Sequence, residues 1–361
     1  MLTDSEIRRA IEMECEENPI LSVSLNIDPH RRSPEKYRLA LRSLLGQAEK
    51  KGASPKDIKR MQDYLDLEHD RTGRGIVMYS CVAENFWWVH TFLPPLEDSV
   101  SVGRRTSVRE LAKLMDTYER YGVIHVEQIG ARLFSFHLGQ LEDATGHLGE
   151  DIKVNNSTSE RRVDKQEAEK ARQNLQAAAD LAEKFFGNNE TKRLILAGTE
   201  KNVAIFRDLL SPKLAKMVVG RIAVDANANP SEIREKALEL ARDAANNQAQ
   251  LEADSVVTLS HKGGNAVTGL TETLTALQHG RAQHIVTLAD FSQPAYRFVD
   301  SGVVLLELTE ESELVSGKVQ KLPDAVDSVL RRAMVQGIGV TILDQHSQLE
   351  QAGQIGALTR Y

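Results

Sequence analysis

The chain has 361 residues, 41% hydrophobic and 27% charged, which is enough for two or three buried cores and excludes long disorder. Two cysteines, Cys15 and Cys81, are too few for a disulfide framework or a four-thiolate zinc site, and no apolar run approaches the roughly 20 residues of a membrane span. The net charge of −7 argues against a uniformly basic nucleic-acid binder, and the acidic start lacks the basic-then-apolar order of a secretory signal, so the expected location is cytoplasmic.

The first strong periodicity is the alternation over 20–27, stopped by Asp28-Pro29, followed by helical spacing around 34–50 and 55–69. Residues 75–82 and 86–92 then read as a hairpin pair closed by Pro94-Pro95, and 104–118 as an amphipathic helix. Strand signals return at 122–129 and 131–138 around Gly130. Gly139-Gln140 follows directly on the second strand and reads as a turn, and 142–164 is polar. A long helix is expected over 165–186, a buried strand over 193–198, a helix over 199–210 and a strand over 218–224. Asn229-Pro230-Ser-Glu232 offers an N-cap, a proline at the first helical position and a glutamate three residues on, so a helix starts there and runs through 252. The last region gives a helix at 270–279, strands at 282–288 and 302–308, a helix at 324–336 and a strand at 339–343. Alternating strands and helices of this kind imply α/β layers.

Charge is distributed unevenly along this order. Between Arg31 and Arg60 ten basic residues face three acidic ones, a local excess of +7 that leaves −14 for the remainder. Arg31, Arg32, Lys50, Lys51, Lys56, Lys59 and Arg60, with Arg104, Arg105, Arg161 and Arg162, are therefore the candidate RNA contacts, because clustered cations bind phosphates by releasing counterions. A solvated helix face is the competing reading of the same charges. Trp87 and Trp88 are adjacent on a strand and point to opposite faces, so they do not form a joint stacking platform. None of the ten histidines sits at ligand spacing to another, and Gly263-Gly264 lacks the lysine of a phosphate loop.

Two further segments carry a family resemblance. Leu270-Thr-Glu-Thr-Leu-Thr-Ala-Leu-Gln-His-Gly280 and the terminal Gly353-Gln-Ile-Gly-Ala-Leu-Thr-Arg-Tyr361 resemble the opening helix and closing motif of the last domain in archaeo-eukaryotic class-1 release factors and Pelota. Gly75-Ile-Val-Met-Tyr79, Phe134, Phe185-Phe186 and Leu194-Ile-Leu-Ala-Gly198 are similar to landmarks of the same superfamily, in the same order. The resemblance implies a three-domain α/β architecture: a basic α+β domain at 1–118, an α/β middle domain at 119–240, and an L7Ae-like α/β/α domain at 241–361.

The departures narrow what the resemblance implies. Active release factors carry Gly-Gly-Gln before the long middle-domain helix, where glycine permits close approach to RNA and glutamine orders water at the ester. This chain has Asn155, Asn156, Ser157 and Thr158 in that place, and Gln166 lies where the helix has already begun. The Asn-Ile-Lys-Ser loop of stop-codon readers is replaced by Lys50-Lys-Gly-Ala-Ser-Pro-Lys56. Phe298, Ser301, Glu313 and Ser316 stand where zinc-bearing members place thiolates, so neither a structural metal nor a cofactor is expected. The resemblance thus implies a monomeric factor that binds rRNA in the ribosomal A site, with an elongation-factor-type GTPase as a delivering partner, and no membrane. It would act in ribosome rescue or hibernation without ester hydrolysis. The alternative is a peptidyl-tRNA hydrolase or release factor with a non-standard catalytic loop.

Overall fold

A computed structural model describes residues 3–15, 17–148, 160–187, 191–225, 228–308 and 318–361, with side chains for all of these except 4 and 160–168. The chain divides into two compact units, Met1–Asp116 with Asn247–Tyr361, and Thr117–Asn246. The expected mixed α/β class is observed, with four sheets among the described residues and helices between their strands.

The first unit opens with α1 (Asp4–Glu12), where Thr3 and Glu6 form a reciprocal capping box. Strand β1 (Ile20–Asn26) leads to α2 (Pro34–Lys50) and α3 (Pro55–Asp63), each with proline at its start, and a π-helical turn at Tyr64–Glu68. Strands β2 (Gly75–Cys81) and β3 (Phe86–Phe92) form the expected hairpin, and β4 (Ser99–Gly103) completes an antiparallel sheet in the order β3-β2-β1-β4. Leu21, Val23 and Leu25 of β1 face Leu41, Leu45 and Met61 of the two helices. The alternating serines of β1 are buried as well, because residues 106–108 cover that side and Ser22 accepts a hydrogen bond from the Ser107 N–H. The helix expected from 104 begins later, as α4 (Arg109–Thr117), since the chain before it is used by β4 and this covering segment.

The second unit carries one five-stranded sheet. Strands β5 (Tyr121–Glu127), β6 (Gly130–His137) and β7 (Gln140–Leu148) form an antiparallel meander. Helix α5 (Glu160–Phe186) then leads to β8 (Arg193–Gly198), parallel to β5, and α6 (Glu200–Arg207) with α7 (Pro212–Met217) to β9 (Val218–Ile222). Leu194 and Leu196 face α5 and α6, whereas Ile195 and Ala197 face the start of α8 (Pro230–His261). Helices on both faces explain why β8 reads as an unbroken apolar run. The polar stretch expected after residue 142 instead contains most of β7. Among the described residues this strand pairs only with β6, and its residues are all half-buried or exposed. Gly139, at φ +76°, makes the expected turn before it.

Helix α8 ends within the first unit, running past residue 252 to His261. Strand β10 (Ala266–Thr268), α9 (Leu270–Gln278), β11 (Ala282–Leu288), β12 (Ala295–Phe298), β13 (Val304–Leu305) and β14 (Val319–Leu322) follow. Helix α10 (Ala325–Gln336), β15 (Gly339–Leu343), α11 (Ser347–Gln351) and β16 (Ile355–Thr359) complete the chain. One sheet has the order β10-β16-β11-β15, so the Ile355–Thr359 part of the terminal motif is an internal strand. A separate sheet, β13-β12-β14, replaces the single longer strand expected at 302–308.

The two segments of this unit are held together by buried polar contacts as well as by α1 packing on α10. Asp327 accepts from the Val108 N–H at 2.7 Å, and the Arg331 guanidinium donates to the Thr106 carbonyl. Arg109 donates to the Ala289 and Phe291 carbonyls and pairs with Asp324 at 2.7 Å.

Candidate nucleic-acid interface

The junction of α2 and α3 concentrates the cations predicted from sequence. Lys50 ends α2, Lys51 is its C-cap, and Gly52 turns the chain at φ +88°. Ala53 is buried, and Ser54 caps α3 by accepting from the Lys56 N–H. Asp57 anchors the helix inward, accepting from Ser80 Oγ at 2.6 Å and from the Val82 N–H at 2.7 Å. With the junction so fixed, Lys50, Lys51, Lys56 and Lys59 are all exposed, and none of them has an ion pair among the described residues. The positive end of the α3 dipole adds to their field.

Lys51 also borders a groove of about 990 Å³ within the first unit. Its walls include the β4 backbone, Arg104, Arg105, Arg109, Lys318 and Lys321, against the acids Glu17, Asp290, Asp324 and Asp327. Arg105 is held by Glu14 at 2.7 Å and Arg109 by Asp324, so among the described residues the groove cations without an ion pair are Lys51, Arg104, Lys318 and Lys321. Lys318 and Lys321 were not foreseen. They lie more than 200 positions from the basic segment, and only the fold brings them to the same groove.

The remaining predicted residues fall elsewhere. Arg31 and Arg32 precede α2, whose 17 residues separate them from Lys50 by roughly 25 Å. Arg32 is bound to Asp98 at 2.5 Å, and Arg31 is exposed. Arg60 is committed to structure, pairing with Glu68 while its guanidinium lies 4.6 Å over the Trp87 ring. Trp87 and Trp88 do face opposite ways, toward Tyr64 and Tyr79 respectively. Arg161 and Arg162 belong to α5, but their side chains lie outside the described residues, as does the whole of Asn155, Asn156, Ser157 and Thr158. Phe298 is buried and Ser301 accepts from the Val303 N–H, while Glu313 and Ser316 also lie outside the described residues.

The fold is a mixed α/β protein in two units, with an exposed basic helix junction beside a groove on an acidic chain. Comparison with known proteins is more specific. Residues 107–242 match the sequence profile of the family described as "Bacterial archaeo-eukaryotic release factor family 10". No curated protein matches the chain. Among solved structures, it is similar to the archaeal translation termination factor aRF1 at 15% identity and TM-score 0.27, covering 98% of this chain and 96% of that one. It is similar to Archaeoglobus fulgidus Pelota at 16% identity and TM-score 0.36, covering 79% of each chain. A model titled as ribosome-bound archaeal Pelota and ABCE1 matches at 13% identity and TM-score 0.41, covering 96% and 91%.

Proposed function

We propose that this chain is a ribosome-binding translation factor that enters the A site and serves ribosome rescue or hibernation without cleaving the peptidyl-tRNA ester. The observation that carries this reading is the exposed Lys50, Lys51, Lys56 and Lys59 cluster, contiguous through Lys51 with the groove. On a chain of net charge −7, such a patch gives local affinity for RNA phosphates while the acidic remainder limits indiscriminate binding. The family match over residues 107–242 supports the ribosome as the source of that RNA. In this reading the basic N-terminal segment faces the decoding centre and the segment replacing Gly-Gly-Gln extends toward the peptidyl transferase centre. The L7Ae-like segment completes a tRNA-like monomer, delivered by an elongation-factor-type GTPase in the cytoplasm.

Co-sedimentation with ribosomes across a salt series tests the binding. Association is expected to fall linearly in log–log form, and exchanging all four lysines for alanine lowers the slope by roughly 3, from about 0.7–0.9 per phosphate contact. Absence of ribosome association at low salt rejects the reading. Ribosomes carrying peptidyl-tRNA are expected to keep their ester. Cleavage abolished by Asn155→Ala or Asn156→Ala replaces it with the hydrolase alternative.

A further inference from the structure

Only one group of three metal-capable side chains converges among the described residues, and it lies apart from the basic surface. The ligand atoms of Cys15, Cys81 and Glu84 all lie within 4.8 Å of one another, in a chain that has just two cysteines, 66 positions apart. We propose that this triad is a binding site for a thiophilic divalent cation of the zinc class, held by two thiolates and one carboxylate with a fourth position open to water.

The backbone on both sides is pinned. The Cys15 N–H donates to the Arg104 carbonyl at 2.8 Å, and the preceding Glu14 is clamped by Arg105 at 2.7 Å and Arg297 at 2.6 Å. Cys81 ends β2, and the 3₁₀ turn Val82–Glu84 is fixed by the bond from Val82 N–H to Asp57 and by Asn85 at φ +52°. Both thiols are fully buried, whereas Glu84 is exposed and marks the side from which an ion enters. Two thiolates on one tetrahedral zinc stand about 3.8 Å apart, which fits inside the observed spacing.

Burial, then contact with Cys81 and Glu84, push the Cys15 thiol upward, and a divalent cation bound beside it would offset that cost of forming the thiolate. Binding releases one proton from each thiol to solvent, and the Glu84 carboxylate supplies the third ligand atom. The Glu84 carboxylate also disfavours thiolate in the free protein, which works against simple oxidation of the pair.

The test is titration of the reduced full-length protein with Co²⁺, followed by displacement with Zn²⁺. One equivalent of Co²⁺ is expected to produce thiolate-to-metal charge-transfer absorption that Zn²⁺ abolishes. The band is lost in Cys15→Ser and Cys81→Ser. Exposed Glu84→Gln keeps the fold and weakens the Co²⁺ complex, so the inference does not depend on core variants folding. Absence of the band, or unchanged affinity in Glu84→Gln, overturns it. So does a stable Cys15–Cys81 disulfide in protein purified without oxidant, seen as a 2 Da loss in mass.

Discussion

The Asp327 carboxylate accepts a hydrogen bond from the backbone N–H of Val108 at 2.7 Å, 219 positions away in sequence, at the entry to α4. It also receives the Ser107 hydroxyl at 3.2 Å and lies beside the Arg331 guanidinium, so one carboxylate ties the first and last segments of the unit together. Replacing Asp327 by alanine strands a helix-entry N–H and a buried arginine. The expected cost is about 1.5–3 kcal/mol, read as a lower midpoint in urea denaturation. Asp327→Asn keeps an acceptor for Val108 and is expected to recover part of the loss.

Glu110, on α4, supplies a pH signature. Burial, reinforced by the neighbouring Glu97 carboxylate, pushes its carboxyl up to about 7. The folded chain therefore holds a proton that the unfolded chain has already released above the ordinary carboxylate range. The stabilisation is full below about pH 4.5, declines as pH rises and is lost by about 7. Glu110→Gln is expected to gain stability relative to the parent between pH 5 and 7.5. A constant difference across that window in denaturant titrations refutes the assignment.

The junction lysines make a quantitative prediction for RNA. Lys56→Ala with Lys59→Ala is expected to lower the log–log salt slope of ribosome association by roughly 1.5. Arg60→Ala acts differently, because Arg60 packs on Trp87 and pairs with Glu68. It is expected to reduce thermal stability and leave the salt slope unchanged.

Gly122 on β5 has no room for a side chain. A Cβ there would stand 2.5 Å from the Phe186 ring and 2.6 Å from Leu194. Gly122→Ala is expected to destabilise the second unit by about 1–3 kcal/mol through overpacking. The pairing of Gly122 with the last aromatic of α5 gives a packing reason for the Phe185-Phe186 landmark. Circular dichroism melting of the variant measures the effect.

Much of the fold was legible because its signals are local. The apolar run of β8, the Asn229 cap accepting from the Glu232 N–H at 2.9 Å, and the β2–β3 hairpin each announce themselves within a few residues. Strand β7 gave no such signal. As a polar edge strand it buries little of either face and owes its form to pairing with β6. Strand β16 was visible as a motif but not as a strand, since its place between β10 and β11 is set by partners about 70–90 positions away.

The interface divides in the same way. The chain order alone placed Lys50, Lys51, Lys56 and Lys59 together, because they flank one short helix junction and a charge excess can be counted. Tertiary structure removed Arg60 and Arg32 from the available cations by giving them acidic partners, and added Lys318 and Lys321 from in and beside the distant strand β14. It also brought Cys15 beside Cys81. Spacing along the chain carries helix and strand periodicity, but ion pairing, ligand convergence and groove walls depend on through-space distances that only packing fixes.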